Sequence, residues 1–264
     1  MSTISTAREK PMSIHTLEQW PRRPEARRIS GTDSHSTAAP NIETMTEARY
    51  DGLLLDHDGV IVTLCSQQVL RAATTDAFVD AGVSNPTPDD VDTIMIRVRD
   101  DDLCAVADRY RVDPDQLWQY REQRTEQALR RETRAGRKAP YEDVACLEHV
   151  EVPTGIVSNN QARIVEFVLQ AHGLQEYVET IRAREPTRES LREKKPEPRY
   201  LEAAAADLDC SNPLYVGDSE SDVVAGQRAG FDTVLLRREH NATRKLEVEP
   251  TVEVESLQAV LELL

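Results

Sequence analysis

Three short, uniformly apolar runs, each leading into a polar motif, constrain this chain more than any other feature. Leu53-Leu54-Leu55 leads into Asp56-His57-Asp58-Gly59-Val60, Gly155-Ile156-Val157 into Ser158-Asn159-Asn160, and Leu214-Tyr215-Val216 into Gly217-Asp218-Ser219-Glu220-Ser221-Asp222. Runs this short and without polar alternation suit parallel strands covered on both faces by helices. In open parallel sheets, ligands gather beyond the carboxyl ends of the strands. The motifs therefore stand where remote segments converge on one pocket, with Lys195-Pro196 lying between the second and third.

The rest of the chain supports that frame. From residue 150 the pattern alternates, with strands expected at 152–157, 178–183, 213–217 and 232–236 and helices at 161–171, 197–206 and 221–229. Such alternation predicts an α/β fold, a parallel sheet with right-handed crossovers and helices on both faces. Thr251 to Val254 adds a short last strand, and Leu257, Val260, Leu261 and Leu264 form an apolar stripe on a terminal helix. Between the first strand, Tyr50 to Leu55, and residue 150, the periodicity is helical. Ser66 to Ala81 stops at Gly82, a helix C′ position, while Thr87-Pro88 and Asp113-Pro114 are cap-then-proline helix starts, the latter helix running to about Arg134. The expected organisation is a core built from 49–65 and 150–264, an inserted all-helical cap at 66–149, and a disordered leader at 1–48 that is rich in Ser, Thr and Pro. Met45, just ahead of the first strand, is an alternative start for the chain.

Charge narrows the possible partners. The formal net charge is −15, with five lysines among 32 basic residues, so each lysine is conspicuous. Acids spread along the chain argue against nucleic acid, whose phosphates need basic clusters on one face. They suit solubility in a high-salt cytosol, where screening weakens self-repulsion. Cys65, Cys104, Cys146 and Cys210 show no metal-type or disulfide-framework spacing. Apolar runs fall short of a membrane span and the amino terminus lacks a signal-peptide core. A cytoplasmic protein with no membrane partner is expected.

The motifs themselves speak of phosphoryl transfer. Asp56 and Asp58 follow a strand and a glycine turn: one carboxylate can attack phosphorus while a second delivers a proton to the departing alcohol. Taken alone the same residues make an acidic turn. Asp218 and Asp222 lie one helical turn apart, and clustered carboxylates call for a hard cation such as Mg²⁺; helix capping explains them equally well in isolation and is compatible with metal binding. Ser158 stands at a strand-to-helix junction and offers either an anion cradle or an N-cap. Lys195 offers a point charge for a phosphoryl oxygen, or is a solvated loop lysine beside Lys194.

In order and spacing, the four motifs resemble the haloacid dehalogenase-like (HAD) hydrolase superfamily, in particular its phosphoglycolate phosphatase and β-phosphoglucomutase-type phosphatases. The resemblance covers roughly residues 48–264 and implies a Rossmann-like core with an inserted helical cap. It implies Asp56 as nucleophile, Asp58 as general acid and base, and Ser158, Asn159 and Lys195 as phosphate-binding residues. It further implies Mg²⁺ held by Asp56, Asp58 through its carbonyl, and Asp218, with Asp222 in support. The activity implied is Mg²⁺-dependent hydrolysis of a small phosphomonoester through an aspartyl phosphate. A phosphosugar mutase, and a catalytically inactive acidic regulatory protein, are the alternatives. Asp58 is expected to have a raised pKa under a closed cap. His57 and Val60 depart from the family's commoner residues without removing a reacting group.

Overall fold

The computed structural model describes residues 49–264. The expected leader at 1–48 lies outside them. The sheet has six parallel strands in the order β3-β2-β1-β4-β5-β6. These are β1 (Gly52–Leu55), β2 (Thr154–Gln161), β3 (Thr180–Arg184), β4 (Pro213–Gly217), β5 (Thr233–Leu236) and β6 (Val252–Val254). Strand order reverses direction at β1, where chain crossovers leave toward both sides of the sheet, and this is where parallel sheets place ligands.

Strand alternation sends neighbouring residues to opposite layers. Leu53 and Leu55 join one apolar cluster with Ile164, Val165 and Val168 of α5 (Ala162–His172) and Leu257 and Val260 of α8 (Leu257–Leu261). Leu54, Val157 and Tyr215 join the other, beneath α6 (Arg199–Asp207) and α7 (Glu220–Ala229). With both faces covered, the strands need apolar residues at every position.

Four helices separate β1 from β2: α1 (Gln67–Asp80), α2 (Pro88–Met95), α3 (Asp100–Tyr110) and α4 (Pro114–Arg134). Their starts are those legible in the sequence, since Ser66, Thr87 and Asp113 each cap a helix by accepting a backbone N–H. Gly82 takes the positive φ expected of it. The four helices close around their own apolar cluster, which includes Phe78, Ile94, Leu103, Leu117 and Trp118. Val144 and Leu147, within the stretch read as cap, pack into the core cluster with Leu257 and Val260 of α8, as does Leu129 of α4. Leu191, from the segment between β3 and α6, enters the helical cluster instead. No helix among the described residues is long and apolar enough to cross a membrane.

Candidate active site

The carboxyl ends of β1, β2 and β4 bring the motif residues together. Asp56, Asp218 and Asp222 each offer a carboxylate oxygen, and these oxygens lie within 4.8 Å of one another. Lys195 stands among them, its Nζ 2.8 Å from Asp56 Oδ1 and 2.6 Å from Asp222 Oδ1. The same ammonium donates to the Val157 carbonyl at 3.1 Å and to Tyr215 Oη at 3.0 Å. Burial opposes the charge on Lys195, but Asp222 and Asp56 hold its ammonium above the ordinary lysine range.

The carboxylates differ in what their surroundings do to them. Asp222 is saturated: one oxygen takes Lys195 and the Tyr215 hydroxyl at 2.8 Å, the other the Ser219 N–H at 3.0 Å, closing a capping box at the start of α7. Burial works against it, yet Lys195, Ser219 and Tyr215 keep its carboxyl below the usual range. Asp56 and Asp218 are pushed the other way. Burial, joined by the neighbouring carboxylates, raises Asp56 well above the ordinary value despite Lys195. Burial and Asp222 likewise raise Asp218 against the opposing hydrogen bond from His240. Two carboxyls that resist ionisation, one buried and one half-buried, beside a third are a donor set short of positive charge. Hard oxygens in that arrangement fit Mg²⁺.

Asp58 stands apart from this cluster and contradicts the expected raised pKa. Burial does favour its neutral form, but the Lys138 ammonium contacts Oδ1, and with His57 holds the carboxyl far below the usual range. His57 Nδ1 lies 3.2 Å from Asp58 Oδ2, and the Asn160 carboxamide donates to the same oxygen at 2.9 Å. Burial keeps the fully enclosed His57 ring toward its neutral form.

Ser158 and Asn159 belong to the end of β2, not to a helix start, since α5 begins at Ala162. Ser158 Oγ accepts the Asn160 N–H at 3.1 Å. The Asn159 carboxamide is committed to Lys195: its oxygen accepts the Lys195 N–H at 2.8 Å and its nitrogen donates to the Lys195 carbonyl at 3.1 Å. Asn159 thus fixes the backbone that presents Lys195.

Four participants escaped the sequence reading. Lys138, fully buried on the linker after α4, also donates to the Thr63 carbonyl at 3.1 Å across the paired linker; its rarity as a lysine was its one signal. His240 Nε2 lies 2.6 Å from Asp218 Oδ2, and Asn241 donates to the Asp218 carbonyl at 2.8 Å. Neither carries a motif. Tyr215 reads as a core apolar residue until its hydroxyl is placed.

The family model described as haloacid dehalogenase-like hydrolase matches residues 53–236, and the chain belongs to that family. A D-glycero-D-manno-heptose-1,7-bisphosphate 7-phosphatase of Chlorobaculum tepidum is 46% identical over 18% of this chain and 28% of its own length. A phosphoglycolate phosphatase of Neisseria gonorrhoeae is 36% identical over 33% of this chain and 36% of its own. The chain thus covers about a third of the curated relatives it matches. Among solved structures, a Lactobacillus plantarum protein provisionally described as a phosphoglycolate phosphatase superposes with a TM-score of 0.62 at 17% identity, over 81% of this chain and 99% of that one. At that identity the likeness is one of fold.

Proposed function

We propose that this protein is a Mg²⁺-dependent phosphatase that hydrolyses a small phosphomonoester through a phosphorylated Asp56. The observation that carries this reading is the crowding of Asp56, Asp218 and Asp222 around Lys195 at the switch point of a parallel sheet. Phosphomonoester hydrolysis is also the activity for which both curated relatives are named. Asp56, Asp218 and the main-chain carbonyl of Asp58 would hold the ion. Bound there, Mg²⁺ offsets the repulsion between a carboxylate nucleophile and the phosphate dianion.

The chain's own groups do the rest. Lys195 fixes Asp56 Oδ1 and leaves Oδ2 to attack phosphorus in line with the departing oxygen. Ser158 receives a phosphoryl oxygen, while Asn159 holds Lys195 in place. Asp58 donates a proton to the leaving oxygen and then takes one from the hydrolytic water. Held ionised by Lys138 and His57, it is set in the form that accepts a proton. Its donating turn requires the carboxyl to move off Lys138.

The four helices between β1 and β2 act as the cap, excluding water while the ester is broken. Free thiols and an acidic surface suit a cytosolic setting rich in salt. A phosphatase panel of phosphomonoesters, run with Mg²⁺ and with chelator, tests the reading. Release of phosphate that depends on Mg²⁺ supports it. Inertness across the panel, or undiminished turnover in chelator, contradicts it.

A further inference from the structure

Beyond Asp58 lies a cavity of about 310 Å³ between the sheet's carboxyl edge and the helical insertion. Counting about 30 Å³ for each water-sized group, it accommodates a leaving group of roughly ten heavy atoms. Leu64, Ile96 and Leu129 belong to the apolar part of its lining. Arg97, Arg121, Arg184 and Lys194 also line it and define its cationic end, and their charge runs against that of the whole chain.

Arg121 and Arg184 meet there on a single carboxylate, with Glu122 Oε1 2.6 Å from Arg121 Nη1 and Oε2 2.7 Å from Arg184 Nη2. One positive charge therefore remains in excess. Lys194 also lines this end, and its ammonium donates to the main-chain carbonyl of Val98 on the α2–α3 turn. No carboxylate pairs with Lys194 among the described residues. Arg97, on the same turn and also without a carboxylate partner among the described residues, adopts φ 56°, a left-handed conformation that non-glycine residues rarely hold. It belongs to the same lining.

Trp118 supplies an independent observation. Both guanidiniums lie over its ring, their central carbons 5.0 and 5.1 Å from the ring centre. The residue is 2% exposed, and its indole Nε1 is buried without a hydrogen-bond partner. Buried donors are costly to leave unmade, and Trp118, which carries this one, is among the residues that line the cavity.

We infer that the cationic end of this cavity binds a second anionic group of the substrate, a carboxylate or a phosphate, with Lys194 as its reader, Trp118 beside it and Arg97 on the same lining. The substrate class is then a phosphomonoester bearing another oxyanion across a spacer short enough for the cavity, an inference that rests on the phosphatase reading above. Lys194 adjoins Lys195 in sequence, so one short segment presents a cation to each end of such a molecule.

The test compares kcat/KM for p-nitrophenyl phosphate, which has a single anionic group, with short-chain phosphorylated carboxylic acids and bisphosphates, all with Mg²⁺. The wild-type protein is expected to favour the two-anion esters by at least about tenfold. Lys194→Met and Trp118→Phe are each expected to lower kcat/KM for those esters, mainly through KM, at least about tenfold more than for the aryl ester. The acid and bisphosphate arms separate the two kinds of anion. Turnover of the aryl ester with no preference for a second anion overturns the inference, as do equal losses on both substrate classes. The wild-type ratio decides the matter even if a variant does not fold. A wild-type protein inert toward every ester fails differently, by removing the phosphatase reading itself.

Discussion

Gly59 shows how closely the reacting groups are set. Its φ is +88°, and a Cβ added there would lie 2.1 Å from Asp218 Oδ2 and 3.1 Å from His240 Nε2. A side chain at this position would push Asp218 away from Asp56. His240 bonds that same Oδ2 and Asn241 the Asp218 main-chain carbonyl, and partners that orient a metal ligand contribute to its affinity nearly as the ligand does. His240→Leu is therefore expected to weaken Mg²⁺ binding by about 10- to 100-fold, read by calorimetric titration without substrate. Unchanged affinity would reduce His240 to a bystander. The reacting residues were legible because they cluster in short motifs at strand ends. Their supports were not: Lys138 lies 80 residues from Asp58 and His240 lies 22 from Asp218, and no local pattern records a contact made by the fold.

The segment between β3 and α6 ties the insertion to the core. Leu191 is buried in the helical cluster, and Arg188 pairs with Asp100 at the start of α3 and with Asp115 at the start of α4. The same segment carries Lys195, so packing in the insertion and placement of the phosphate-side cation share one stretch of chain. Leu191→Ala is expected to destabilise the protein by about 2–3 kcal/mol, measured by urea unfolding. Loss below about 0.5 kcal/mol would mean that the segment merely rests on the insertion. Helix starts at this scale were plain in the sequence because Ser66, Thr87 and Asp113 cap through local hydrogen bonds. The end of β2 was not, because Ser158 and Gln161 are drawn into the strand by pairing with β3 across an irregular register. For the stretch at 142–149, helical periodicity does not say which cluster a short turn will join, and Val144 and Leu147 join that of the core.

Across the whole molecule, negative charge dominates outside while positive charge gathers in the cavity. Lys194 is the sensitive member of that set. Burial, reinforced by Arg184 and Arg121 and opposed by Glu122 and Asp102, lowers its pKa to about 8. Below that value the ammonium is present; above it the neutral amine has no charge to offer an anion. KM for a two-anion substrate is thus expected to climb as pH rises through about 8, and Lys194→Met to flatten that rise. A pH-independent KM in the wild-type protein would contradict the assignment. Everything else depends on Asp56 taking the phosphoryl group. Quenching turnover in acid, reducing with borohydride and mapping the product by mass spectrometry tests that most directly, because reduction of an aspartyl phosphate leaves homoserine. The account predicts homoserine at residue 56, seen with substrate and Mg²⁺ and missing in Asp56→Asn. Modification at another residue, or sustained phosphate release by Asp56→Asn, would contradict it.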